Sequence, residues 1–504
     1  MKIQQYKTKS SNHRINATAF YHKGFRWKVI LPTKVYNYLV DMVEKKPPFK
    51  TFKLALAMYY LSLIISIPTR KKDKIYKWGY VPLSSRLLEK KYYKYTRYFD
   101  YFLDIEIIQK INYSTYTNTS NGYRFNYSAI KTEGNECLDF SIFEISDEKL
   151  NEKILDENFS NDCPHLSKWL NEGLIIDFDN LIASMEDKFC YNKYDAVYST
   201  PNPIIANVYN YWHCALMMKN QIFRATRDDN SDNRIHTNLT NLPKSFRPFL
   251  SYEGEMIASL DIKNSQPYFM VLLLERYNDE RIKGIIQSIY DSKTAVLMND
   301  LSEIIATQEF QEEFQDVKKS IISGMFYEYL GDEVFSEIKP HRVIDENGEK
   351  IEIYRSSFYN RDTEYMEMKE FKGKRNLMKK LTLQLLYTPL KRPAKEYQIF
   401  QNHLPMLCKC IELFKTQFED KDSYKNFPKL LQHIESDCIL DFVTVKLAEK
   451  YPEMPLWTIH DSICTTVQWF PTMQNVTESL FSEYSQDMNP KFESEDWIIK
   501  DKSA

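Results

Sequence analysis

Two aspartates offer this sequence its clearest chemistry. Asp261 stands in GEMIASLDIKNSQPYFMVLLL, where strand formers run up to the carboxylate, break at residues 263–267 and continue as an apolar helix. Asp461 stands in PLWTIHDSICTT, at the bend between two short runs of β-formers. An aspartate at a bend also serves as a plain turn residue, its side chain bonding its own backbone. A carboxylate at the end of a buried strand, however, is costly to desolvate unless it is paired or bound to a cation. Together the two can hold two Mg²⁺ ions about 3.5–4 Å apart, which activates an attacking hydroxyl and stabilises a leaving pyrophosphate. Mn²⁺ is the alternative ion.

A triphosphate also needs cations from the protein. RNLMKKLTLQLLYTP supplies Arg375 and Lys379 four residues apart, hence on one helix face, with Tyr387 eight residues further on. An ordinary amphipathic helix with a basic face is the competing reading. The 11 glycines form neither G-x-x-x-x-G-K-[ST] nor G-x-G-x-x-G, so side chains must hold any phosphate.

The order Asp261, then Arg375-x3-Lys379-x7-Tyr387, then His460-Asp461 resembles motifs A, B and C of the single-subunit polymerases, the DNA polymerase I-like (family A) enzymes and the phage-type RNA polymerases. TNLTNLP at 237–243 resembles the segment before motif A, with Arg234 near the family's arginine. QHIESDCIL resembles the helix before motif C, with Gln432 and Asp437 in matching positions. The resemblance covers about residues 204–490. It implies Asp261, Asp461 and Ile262 at the metals, Arg375 and Lys379 on the triphosphate, and Tyr387 against the incoming base or sugar. It also implies His460 near the primer terminus, and Arg234 and Gln432 on template or primer. Gln266, five residues after Asp261, stands where DNA-making members carry Glu and RNA-making members Gly, which favours deoxynucleotides. A loop shorter by two residues would align it with a later Gln of the RNA polymerases. This chain departs from the pattern at Thr388, where the family has Gly, in the long 261–375 gap, and in a His-Asp-Ser motif C like that of the RNA polymerases. An exonuclease domain is not evident.

Periodicity indicates the helices and strands on which these residues sit. A chain of 504 residues with 43% hydrophobic content suggests two to four domains. Residues 84–91 and 94–104 read as helices and 106–113 and 123–127 as strands of a hairpin, an order that resembles a winged helix-turn-helix. Lys90, Lys91, Lys94 and Arg97, interleaved with Tyr92, Tyr93, Tyr95 and Tyr98, would line the second helix and meet DNA phosphates. Residues 1–131 hold 25 Lys+Arg against 7 Asp+Glu, and the remainder 42 against 62, so the overall −2 conceals a basic N-terminal region suited to a polyanion. Residues 132–205 read as an acidic linker followed by helices, and a long amphipathic helix begins near 204. Eight scattered cysteines, with no zinc spacing, read as reduced thiols. The apolar run at 54–67 is shorter than the ~20 residues a membrane span needs and reads as a core helix. With no signal peptide, a cytoplasmic protein without membrane contact is expected.

The expected fold class is α+β, a right-hand polymerase with palm, fingers and thumb over 206–504, preceded by a basic winged helix-like domain over 1–135 and an acidic region over 136–205. The expected partners are a DNA template and primer, nucleoside triphosphates and, for an RNA-making relative, RNA. Three other functions fit parts of the pattern: a DNA-directed RNA polymerase or primase, a DNA-binding initiator with an inactive palm, and a metal nuclease, which would not call for the Arg-Lys-Tyr helix.

Overall fold

The computed structural model describes residues 25–70, 80–92, 94–112, 120–130, 140–160, 162–189, 212–344, 350–359, 366–389, 395–420 and 422–498. Its centre is a six-stranded antiparallel sheet. Strand Glu255–Ile262 lies between Ser462–Thr466 and Phe492–Asp496, with Trp457–Ile459 beyond the former. At its start it turns back through Glu253 and Gly254, both at positive φ, onto Leu250–Tyr252, which also pairs with Leu174–Ile176. Two such residues in left-handed conformation match the twist of a tight hairpin. Residues 257–260 are all buried, because strands covered on both faces need not alternate in polarity. Helices Ser265–Arg276 and Phe470–Ser485 are part of the same core.

The break after Asp261 is shorter than expected. Asn264, at φ 56, makes the turn, and the helix begins at Ser265 with Gln266 and Pro267 in its first turn, where proline sacrifices no hydrogen bond. The strand therefore passes almost directly into a helix.

Helix Asn426–Ser436 continues into a π-helical turn, Asp437–Val443, and packs on both Ser265–Arg276 and Lys374–Tyr387. In the 261–375 gap, helix Ser265–Arg276 is followed by helices Glu280–Tyr290, Thr294–Ile305, Gln308–Ile322 and Phe326–Tyr329 and then by a three-stranded sheet of His341–Ile344, Lys350–Tyr359 and Met366–Lys372. His341–Ile344 and Lys350–Tyr359 pair antiparallel as the first two strands of that sheet.

Near the N-terminus the order is helix Leu54–Arg70, strand Val81–Pro82, helices Ser85–Lys91 and Thr96–Asp104, and strands Ile108–Ile111 and Gly122–Phe125, the last pairing with both other strands. Residues 113–119, the end of the strand expected at 106–113 and most of the connection to 123–127, lie outside the described residues. Segment 132–205 contributes strand Phe140–Glu144, which pairs with Lys28–Pro32, and strand Leu174–Ile176 of the central sheet, besides its helices. The long helix expected from 204 is helical only at 212–219 among the described residues. Further along, Ala225–Arg227 is a strand paired with Ile235–Thr237, where backbone pairing overrides helix propensity. Among the described residues no helix is long and apolar enough to cross a membrane, and the six described cysteines are free and buried.

Candidate active site

The two aspartates meet at adjoining ends of the central sheet. Asp261 faces Ser462 across the strand pair and accepts a hydrogen bond from its hydroxyl. Asp461 is the residue before Ser462, in the two-residue turn that follows Ile459. Its neighbour His460 takes φ 56, a conformation uncommon outside glycine and one that recurs at functional sites. Burial, with the charges of Asp461 and Glu495 adding to it, pushes the Asp261 carboxyl up to about 6. A carboxyl raised by its neighbours' negative charge in this way is short of positive charge.

That deficit fits a divalent cation. Asp261 and Asp461 are oxygen donors of the hard type that Mg²⁺ selects. The hydrocarbon side chain of Ile262 has no donor atom, so only its main-chain carbonyl can serve as a ligand. Among the described residues no cluster of three or more His, Cys, Asp or Glu forms a closed metal cage. Mg²⁺ is commonly held by one or two carboxylates, with substrate phosphates completing its shell.

Beside the aspartates, four residues chosen from sequence come together around one that was not. Tyr387, at the end of helix Lys374–Tyr387, donates its hydroxyl proton to Gln266 Oε1 at 3.0 Å and accepts from Gln432 Nε2 at 3.2 Å. Gln266 Nε2 donates to Glu435 Oε2 at 2.7 Å, and the Ser265 hydroxyl reaches the same oxygen at 2.9 Å. Arg234 grips Glu435 Oε1 through Nε at 2.6 Å and a terminal nitrogen at 2.5 Å. Glu435 is 1% exposed. Burial raises its carboxyl and the Arg234 guanidinium opposes that shift. Burial likewise takes the Tyr387 phenol up to about 12 against the pull of Arg234. His460 closes a small cleft with Arg234, Glu435 and Thr458.

The basic helix behaves differently at its other end. Arg375 pairs with Glu328 at 2.9 Å and lies over the Tyr327 ring at 5.1 Å, while Lys379, one turn on, is exposed. Burial lifts the Tyr327 phenol to about 12, Arg375 lowers it and Asp461 raises it, so both charges act at this spot. Lys415, 2% exposed, caps the helix end by donating to the carbonyls of Leu385, at 2.5 Å, and Thr388, at 2.8 Å.

Sequence reasoning missed Glu435, Ser265, Tyr327, Glu328 and Lys415. Glu435 carried a signal: it lies three residues after Gln432, on the same helix face, among otherwise buried positions. Asp437, which resemblance matches together with Gln432 to the helix before motif C, pairs with Arg281 and accepts from the Tyr484 hydroxyl.

The N-terminal basic set needs three corrections. Lys90 and Lys91 end the first helix, Ser85–Lys91, and Lys94 precedes the second, Thr96–Asp104, so of the four only Arg97 lies on the second helix. Lys91 is not a surface residue: its ammonium is buried against Glu157 at 2.9 Å and the carbonyl of Lys153 at 2.5 Å, which removes it from any DNA-facing surface. Tyr98 is core, stacked on Phe52, with its hydroxyl accepting from the Lys53 main-chain nitrogen. Lys90, Lys94 and Arg97 are exposed, and Tyr93 lies outside the described residues.

No protein-family model matches the sequence, and no curated protein matches it. Among solved structures, the chain is similar to the POL domain of Pol1 from M. smegmatis, in complex with DNA primer-template and dNTP, at 8% identity over 69% of this chain and 71% of that chain, with a TM-score of 0.32.

Proposed function

We propose that this chain is a template-directed nucleotidyltransferase, a DNA polymerase of family A-like type, which extends a primer on a DNA template by a two-metal mechanism in the replication of a mobile element or phage. The observation that carries the reading is convergence. Arg234, Gln266, Tyr387 and Gln432, from four distant segments, are joined in one network with Glu435 beside Asp261 and Asp461, where the Asp461 charge adds to the burial that raises Asp261. A purely structural network would have no use for the unbalanced carboxylates beside it.

In the reaction, the primer 3′-oxygen bonds to the α-phosphorus of the incoming triphosphate as the bond to pyrophosphate breaks. Asp261 and Asp461, with the Ile262 carbonyl, are the groups that would hold two Mg²⁺ ions, which supply an acidified 3′-hydroxyl and neutralise the leaving pyrophosphate. Lys379 and Arg375 present their cations to the triphosphate, and Arg375 exchanges its partner Glu328 for phosphate as it does so. Tyr387 supports the incoming base or sugar and Gln266 borders the sugar. Arg234, Gln432 and His460 face the primer-template end. The N-terminal order of one helix, a short strand, two helices and two strands supports a winged helix reading, with Lys90, Lys94 and Arg97 meeting duplex phosphates.

A second reading, a single-subunit RNA polymerase or primase, draws on one observation: motif C ends in Ser462, whose hydroxyl bonds Asp261 where a further carboxylate would stand in a DNA polymerase I-like enzyme. The test of both is to incubate the purified chain with Mg²⁺ and a primed or unprimed template, supplying dNTPs or rNTPs. Asp261→Asn and Asp461→Asn should each abolish addition while DNA binding persists. Synthesis retained in either variant refutes the two-metal assignment.

A further inference from the structure

We infer that Glu435 is the positioning residue of sugar selection: its carboxylate fixes the Gln266 amide so that the oxygen, and not the nitrogen, meets Tyr387. The inference rests on the reading above, in which Gln266 and Tyr387 border the incoming sugar.

A glutamine amide turned by 180° fills nearly the same space, so its partners decide its orientation. Gln266 is 8% exposed, and its two ends meet Glu435 and Tyr387. A carboxylate only accepts. Turned the other way, the amide would set oxygen against oxygen at the Glu435 contact and forfeit a charge-assisted bond. With Nε2 held by Glu435, Oε1 must accept, and the Tyr387 phenol supplies the proton. The phenol oxygen is then left to accept from Gln432 Nε2. Donation thus runs one way, Gln432 to Tyr387 to Gln266 to Glu435, and the phenol proton is turned toward Gln266 and away from a sugar hydroxyl.

The carboxylate sits where packing alone would place an apolar residue, between buried Ile434 and Ser436. A buried charge of this kind survives only when paired and hydrogen-bonded. Arg234 supplies the pairing, and Ser265 and Gln266 supply the bonds. The same group therefore ties the arginine assigned to the primer-template to the glutamine assigned to the sugar.

A four-member cycle tests this: wild type, Glu435→Gln, Gln266→Glu, and the double variant that moves the carboxylate from position 435 to position 266. The readout is the ratio of kcat/KM for dNTP over rNTP. Glu435→Gln is expected to lower the ratio about tenfold, the worth of one hydrogen bond. Gln266→Glu alone sets two carboxylates together and is expected to impair addition. The double variant again gives Tyr387 a fixed acceptor, and its ratio is expected to return to within about threefold of wild type, a coupling that independent sites do not show. Additive losses overturn the inference, as does an unchanged ratio in folded Glu435→Gln. If a single variant does not fold, the double decides: a folded double with a restored ratio supports the inference, and a double that also fails overturns it. A wild type that adds neither kind of nucleotide defeats the polymerase reading by itself. The cycle is then read in the melting temperatures of the same chains, where restoration in the double supports the fixed amide and additive loss overturns it.

Discussion

Replacing Asp261 with Asn should stabilise the metal-free protein while destroying its proposed activity. Burial and the charges of Asp461 and Glu495 take Asp261 from 3.8 up to about 6. A shift of about two units corresponds to about 3 kcal/mol against the ionised form. Asp261 is only partly buried, so solvent screening reduces this to roughly 1–2 kcal/mol. The sign follows from linkage: a carboxyl whose folded pKa is raised binds more protons folded than unfolded between 3.8 and about 6. The penalty is therefore complete above about pH 6 and fades as the pH falls toward 3.8. Asn keeps an oxygen to accept from Ser462 and carries no charge. In EDTA at pH 8, thermal denaturation should show Asp261→Asn melting above wild type by about 1–3 °C, with the gap shrinking at pH 5. Mg²⁺ should raise the wild-type melting temperature more than the variant's, since a ligand stabilises only the form that binds it. An Asp261→Asn chain less stable than wild type in EDTA at pH 8, or an equal response to Mg²⁺, refutes the idea of two unbalanced carboxylates awaiting cations.

Three further outcomes are expected. Gln266→Gly, which opens space beside the sugar and removes the acceptor of Tyr387, should shift incorporation toward rNTPs; a wild type that already prefers rNTPs, or an unchanged ratio, hands the assignment to the RNA polymerase reading. Lys415 is lowered to about 7 by burial, so the unfolded chain binds the extra proton between about pH 7 and 10.5 and stability rises with pH across that window. Relative to Lys415→Met, wild type should gain roughly 4 kcal/mol from pH 7 to 10.5, read by urea denaturation, and a flat difference contradicts a buried, depressed amine. Lys90→Ala with Arg97→Ala in the full chain should weaken duplex DNA binding and reduce the log–log salt slope by about 2; an unchanged slope moves the DNA contact elsewhere.

Some of this protein was written in short stretches of its sequence. The strand ending at Asp261, the bend at His460-Asp461, the helix carrying Arg375, Lys379 and Tyr387, and the helix pair before a hairpin near residue 100 each depend on periodicity within a few turns or strand residues, which neighbouring side chains set. The structure has all four, with boundaries displaced by a few residues. Charges were another matter. Lys91 and Lys90 are adjacent and chemically alike, yet one is buried on Glu157 and the other exposed, because burial is decided by what the fold brings from 66 residues away. Glu435 looked like one more polar residue of a helix until Arg234, 201 residues distant, made its burial tolerable. Strand Phe140–Glu144 reads as linker in the sequence because its partner Lys28–Pro32 lies more than 100 residues earlier, and a strand's stability resides in its pairing. Short-range pattern is enough to place the reactive residue types and the helices and strands that carry them. Which of these residues share an environment depends on the folded chain, since desolvation and hydrogen-bond partnership come from contacts that no local pattern encodes.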